Sequence, residues 1–169
     1  DEAGRWYLKA SKAELAPAQF GLGRAYEHGE GVEQSYSDAL LWYKLAAAQD
    51  EDRAWAALAD MYYEGRGVDR DYKEASKWYA LLADYGQAFS QTRLGLMHYY
   101  NEGVAQDHEA SVKWFTLSAN QGDAVGQFAL ASMYNQGEGI AKSEKDAANW
   151  YKKSCDQGYE PSCDFTKKQ

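Results

Sequence analysis

The stretch DRAWAALADMYYEGRGVDRDYKEASKWYALLADYG, residues 52–86, reads as two helices joined by a tight turn. In its first half Ala54, Leu58, Met61 and Tyr62 fall at i, i+4, i+7 and i+8, the apolar stripe of an amphipathic helix, here helix A. The segment GRGVDRD follows, where two glycines permit positive φ and Val68 can turn back toward the core. Asp71 with Glu74 three residues on forms a capping box for a second helix, helix B, which buries Ala75, Trp78, Tyr79 and Leu82 and stops near Gly86.

Moving outward from Trp78, Trp6, Trp42, Trp114 and Trp150 stand on the same 36-residue period. Leu22, Leu58, Leu94 and Leu130 keep that period, as do Gly31, Gly67, Gly103 and Gly139. Ser35, Asp107 and Ser143 share the cap column of Asp71, and Tyr43, Tyr79, Phe115 and Tyr151 follow the Trp column. Ala39, Ala75, Ser111 and Ala147 stay small, which lets helix A approach helix B where the indole wedges in. Asn101 replaces the turn glycine of the other units, and Asn tolerates the left-handed conformation best among the rest. The chain is therefore a repeat array. The expected fold is all-α, a right-handed α-solenoid of helix-turn-helix repeats forming one domain over 1–169. Helix B of a partial repeat occupies 1–15 (the helix itself near 2–13), repeats cover 16–51, 52–87, 88–123 and 124–158, and a further helix A starts in 159–169.

With 45% hydrophobic residues the chain can bury a core, and no apolar run of 18 residues exists to span a membrane. A net charge of -8 argues against binding a phosphate backbone, so no nucleic acid is expected as partner. No basic amphipathic stretch suggests membrane adhesion; Lys167 and Lys168 are a terminal pair. Asp1 aligns with Ser37, so the chain enters its repeat halfway, and a signal peptide or an upstream segment is expected before it. Cys155 and Cys163 are eight apart, the first ending one helix and the second early in the next. A short turn could bring them within disulfide reach, which would imply an oxidising compartment; two small buried thiols in a cytoplasmic protein are the alternative.

The segments LGRAYEHGEGVEQSYSDALLWYKLAA (22–47) and LASMYNQGEGIAKSEKDAANWYKKSC (130–155) carry Leu-Gly or its variant, Tyr, Gly-x-Gly-Val or -Ile, and Ala-x-x-Trp-Tyr positions together. On these residues the chain resembles the Sel-1-like repeat family, relatives of the tetratricopeptide repeat. Ala59 and Ala131 depart from the Leu-Gly position. The tail KKSCDQGYEPSCDF also resembles the cysteine-rich secreted bacterial branch, where such a pair staples adjacent helices. The resemblance implies export to a periplasm or beyond, and adaptor scaffolding rather than catalysis.

In an array of this class the A helices line the concave face, so binding is expected there. The residues facing it are Pro17, Phe20, Arg24, Glu27 and His28 in the first full unit, and Arg53, Ala56, Asp60, Tyr63 and Glu64 in the second. Phe89, Thr92, Leu96, Tyr99 and Tyr100 follow in the third, and Val125, Phe128, Ser132, Asn135 and Gln136 in the fourth. Tyr63, Leu96, Tyr99 and Tyr100 supply the contact area a peptide hot spot needs, unless Tyr63 and Phe89 pack between A helices. Trp55, the one Trp off the period, stands where other units have Gln and is read as structural.

No Ser-x-x-Lys, Ser-Asp-Asn or Lys-Thr-Gly is present to support β-lactam hydrolysis, which the cysteine-rich branch raises as an alternative. His28, His98 and His108 lack an i+4 partner for a shared metal, and His98 stands in the Tyr26 column as a core histidine. No catalytic residue, metal or cofactor is expected. The function expected is an exported, monomeric adaptor that binds a protein or peptide; an immunity- or inhibitor-type protein that caps a partner is the alternative.

Overall fold

The computed structural model describes residues 15–166, which contain nine helices and no strand. The helix expected near 2–13 and the Lys167–Lys168 pair lie outside them. The elements are α1 (Ala16–His28), α2 (Tyr36–Ala47), α3 (Asp52–Glu64), α4 (Tyr72–Asp84), α5 (Ala88–Tyr100), α6 (His108–Asn120), α7 (Ala124–Gln136), α8 (Glu144–Asp156) and α9 (Glu160–Thr166). The chain forms two compact units that divide between Trp78 and Tyr79, within α4.

Local chemistry sets the helix ends. The side chains of Ser35, Asp71, Asp107 and Ser143 accept from the amides of Asp38, Glu74, Ala110 and Asp146, as the cap column predicts. The box at Asp71 is not closed from the other side. Glu74 instead accepts from Lys77 at 2.6 Å, and the Asp71 amide donates to the carbonyl of Tyr62 at 2.9 Å. That tie from helix B back to helix A recurs at Ser35, Asp107 and Ser143, which donate to Tyr26, His98 and Tyr134. Gly29, Gly65, Asn101 and Gly137 close the A helices in the left-handed region, Asn101 at φ 59.

In the first unit α1 packs on α2, and α2 on α3, around buried Leu22, Ala39, Tyr43, Leu58 and Met61. In the second unit α5 packs on α6, α6 on α7, α7 on α8 and α8 on α9, and α5 also touches α7. Phe115, Leu130 and Met133 form one core there; Ala131, Ala147 and Tyr151 form another.

The Trp column does not carry the core as the period suggests. Trp42, Trp78, Trp114 and Trp150 are half-buried, whereas Tyr43, Tyr79, Phe115 and Tyr151, one residue on, are almost fully buried. The reason is contact distance between helices. The Phe115 ring lies so close to α5 that a Cβ on Gly95 would stand 2.6 Å from it, and Tyr43 bears on Gly23 at the same distance. The indoles lie at the margin, where Trp150 covers both second-unit cores and takes the Lys153 ammonium 3.8 Å from its ring.

Two further columns join one repeat to the next. Gln91 and Gln127 donate to the carbonyls of Ala83 and Ala119, each at the end of the preceding helix B. Trp55, in the same column, donates its indole N–H to Ala47 at 3.1 Å and is 5% exposed, so it is an inter-repeat wedge. The second turn glycine meets backbone: a Cβ on Gly67 would come 2.6 Å from the carbonyl carbon of Tyr36, and one on Gly139 would come 2.2 Å from the carbonyl oxygen of His108.

Candidate functional site

The predicted binding residues divide between the two units, and their fates differ. In the first unit Phe20 rests against Tyr43 (centroids 5.6 Å apart), and the Arg53 guanidinium lies over its ring at 4.7 Å. Two hydrogen bonds tie Arg53 to Glu51, whose carboxyl is held below the usual carboxylate range by that guanidinium. Arg24 is exposed and Asp60 half-buried. Tyr63 packs its ring 5.1 Å from Tyr72 of α4, a helix B rather than a neighbouring A helix.

Glu27 is buried rather than exposed on the outer stripe. It is 9% exposed and accepts from the Tyr43 hydroxyl at 2.5 Å and from the Arg66 guanidinium. Helix spacing places Glu27 on the outer stripe, but Arg66 arrives from the turn of the next repeat and closes over it. Burial first, then the hydrogen bond to Glu27, pushes the Tyr43 hydroxyl well above its ordinary pKa.

In the second unit the same stripe opens. Leu96, Tyr99 and Tyr100 of α5 face Val125, Phe128, Ser132 and Gln136 of α7 across a cavity of about 410 Å³. Phe115, Ala129 and Met133 also line it, with Tyr159 from the residue before α9. None of the lining side chains is charged. Tyr100 is 63% exposed, and Phe128 packs edge-on against Tyr159 at 5.4 Å. Ser132 is already engaged, with the Phe128 carbonyl and the Tyr151 hydroxyl.

Tyr99 serves both wall and frame. Its ring stacks on His108 at 5.1 Å and meets Tyr100 edge-on at 4.9 Å. Its hydroxyl bonds to the Glu138 carboxylate, which raises its pKa, with burial acting in the same direction. Three other residues of the stripe stand apart from the cavity. Phe89 is 54% exposed beneath the Arg93 guanidinium, Asn135 is half-buried, and Thr92 is buried in hydrogen bonds to Ser118 and Asp123. Thr92 is thus a correction to the stripe: the hydroxyl links α5 to α6 and to the cap of α7.

Sequence reasoning missed Tyr159, and missed Phe115, Ala129 and Met133 as walls because they also belong to the core or its edge. Reading Tyr159 one period after Asp123, at the mouth of the next helix A, is the signal that could have found it. His98 is half-buried and its Nδ1–H donates to the Ala105 carbonyl at 3.2 Å. Cys155 and Cys163 are joined in a disulfide with Cα atoms 4.7 Å apart. Among the described residues no group of three or more His, Cys, Asp or Glu could hold a metal, and no helix is long and apolar enough to cross a membrane.

These features define a class: an all-α protein of repeated helical hairpins, with an uncharged, aromatic groove between two successive A helices. The Sel1 repeat model matches residues 1–15, 16–51, 54–86, 88–123 and 124–159, and the chain belongs to the Sel1 repeat family. A protective antigen of uropathogenic Escherichia coli with an SLR fold is 34% identical, with a TM-score of 0.89 over 94% of this chain and 34% of its own. A Sel1 repeat protein from Oxalobacter formigenes is 35% identical, with a TM-score of 0.84 over 90% of this chain and 63% of its own. The chain thus spans about a third of the first protein and under two thirds of the second. Helicobacter pylori cysteine rich protein B, at 17% identity and a TM-score of 0.60 over 78% of this chain and 97% of its own, shares the fold. Among curated proteins none matches. The fold is the all-α, right-handed helical-repeat solenoid class of these structures. Sel1 repeat proteins generally mediate protein–protein interaction.

Proposed function

We propose that this chain is a non-catalytic interaction module whose α5–α7 groove holds an apolar segment of a partner protein or peptide. The observation that carries the reading is the groove itself, about 410 Å³ walled by aromatic, aliphatic and uncharged polar side chains. That volume suits one or two bulky side chains, and aromatic walls supply contact area at low entropic cost.

Charge selects the flanks of the occupant. Tyr100 and Gln136 are the last residues of α5 and α7, so both helices bring their negative dipole ends to one end of the groove. Glu102 and Glu138 follow directly in the turns, and the whole chain carries a net charge of -8. A segment with a bulky apolar anchor next to Lys or Arg complements this arrangement, with an attraction that salt weakens. The disulfide favours an oxidising compartment, so the partner is met in a periplasm or beyond.

Selection of linear peptides from a display library on the oxidised chain tests this. The expected consensus pairs an aromatic or large aliphatic residue with a neighbouring basic one. Tyr100→Glu should weaken the selected peptides at least about tenfold while the melting temperature holds, since the ring is mostly exposed. An acidic consensus, or binding indifferent to Tyr100→Glu, would contradict the proposal.

A further inference from the structure

We infer that the Cys155–Cys163 disulfide positions Tyr159 as the end wall of the α5–α7 groove, so that reducing the bridge loosens what the groove holds. The inference rests on the groove being a binding surface, and adds a covalent control to it.

Tyr159 lies inside the short span that the bridge closes, and its ring both lines the cavity and packs against Phe128 at 5.4 Å. The equivalent positions one period apart hold Leu15, Glu51, Gln87 and Asp123. At Asp123 the side chain caps its own helix, accepting from the Gly126 amide at 2.7 Å. Tyrosine is not a capping residue, so at this position an aromatic wall replaces the polar helix start.

The helix that Tyr159 precedes has little to hold it. A seven-residue helix such as α9 is marginal by itself and depends on tertiary ties. Those present include the bridge to the last turn of α8, a 2.7 Å bond from the Ser162 hydroxyl to that of Ser154, the Phe165 ring stacked 4.1 Å from Tyr151, and the Tyr159 amide, which donates to the Ser154 carbonyl at 3.3 Å. The ring contact holds the far end of α9, the Ser162 hydroxyl and the bridge both hold its first turn, and the bridge is the covalent closure of the span that carries Tyr159. A dithiol reductant supplies two electrons and two protons: the S–S bond breaks, both cysteines become thiols, and the reductant becomes a disulfide. The span around Tyr159 then loses its covalent closure and is held by the weaker Tyr159 amide bond to Ser154, while α9 keeps its other anchors.

Binding of the neutral dye N-phenyl-1-naphthylamine, followed by its fluorescence, tests the coupling. The forms compared are the oxidised chain, the chain in dithiothreitol and the Cys155→Ser/Cys163→Ser variant, each with and without Tyr159→Ala. Reduction and the double substitution should each weaken dye binding at least about fivefold in the presence of Tyr159, and should have no further effect in Tyr159→Ala, the non-additivity expected of coupled residues. Equal weakening with and without Tyr159, or no effect of reduction, would overturn the inference while leaving the groove intact. Loss of helical circular dichroism on reduction would overturn it as well, since the bridge would then hold the fold rather than the wall. Absent dye binding, or binding unmoved by Tyr100→Glu, would remove the groove and with it the inference.

Discussion

Glu27 and Tyr100 show what a helical stripe does and does not reveal about one side chain. Both sit on the outward face of an A helix by spacing, yet Glu27 is 9% exposed and Tyr100 63%. Glu27 is closed over from 39 residues on by Arg66, as Tyr99 in the same column is held by Glu138, whereas Tyr100 stands in the next column, with His28 and Glu64. The buried Glu27–Tyr43 contact has a consequence for stability against pH. Because the folded state holds the Tyr43 proton more tightly than the unfolded chain, its contribution is complete below the unfolded pKa of about 10 and is lost as pH rises above it. Denaturant titrations at stepwise alkaline pH should show stability falling above about pH 10, and Tyr43→Phe should reduce that slope by about 1.4 kcal/mol per pH unit. Identical slopes for the two proteins would mean that the hydroxyl is not buried against a carboxylate. Leu96, Tyr100 and Phe128 were legible as groove residues because period and helix face suffice to place them. Tyr159 was not, since its role comes from a bridge and a short final helix rather than from the stripe.

At the scale of elements the caps and turns were the most legible part, because each depends on residues within a few positions. Ser35, Asp71, Asp107 and Ser143 cap as their column predicts, and Asn101 adopts the left-handed turn. What the period could not rank was depth: an indole and the ring after it share a helix face, and only the approach of α5 to α6 decides that Phe115 is the deeper of the two. The Gln91 and Gln127 ties were visible as a column but not as bonds, since their acceptors are backbone carbonyls. Close packing between repeats makes glycine obligatory at one turn position and optional at another. Gly139 has φ 65, and the backbone of His108 lies 2.2 Å from where a Cβ would stand, whereas Gly122 has φ 94 and nothing within 4 Å of that point. Gly122→Ala should therefore cost only the left-handed strain, about 1 kcal/mol, and Gly139→Ala on the order of 3 kcal/mol or more, because the α6 start must also shift. Thermal melts of the two variants check this; equal losses would mean that the turn does not bear on α6.

For the whole molecule, the repeat period made the fold class readable, since each column recurs and local and long-range signals agree. The net charge of -8 supports the proposal that the occupant carries basic flanks. The location of the groove was less legible. The stripe runs through every repeat, but the rings of the first unit are capped by Arg53 or packed on Tyr43 and Tyr72, and an open aromatic surface is left between α5 and α7. The most direct test of that claim is hydrogen–deuterium exchange of the oxidised chain with and without a saturating library-selected peptide. The account predicts slowed exchange confined to α5 around Leu96–Tyr100, to α7 around Val125–Gln136 and to the turn at Tyr159. Protection centred instead on the helix B surface that carries exposed Leu81 and Leu117 would contradict it.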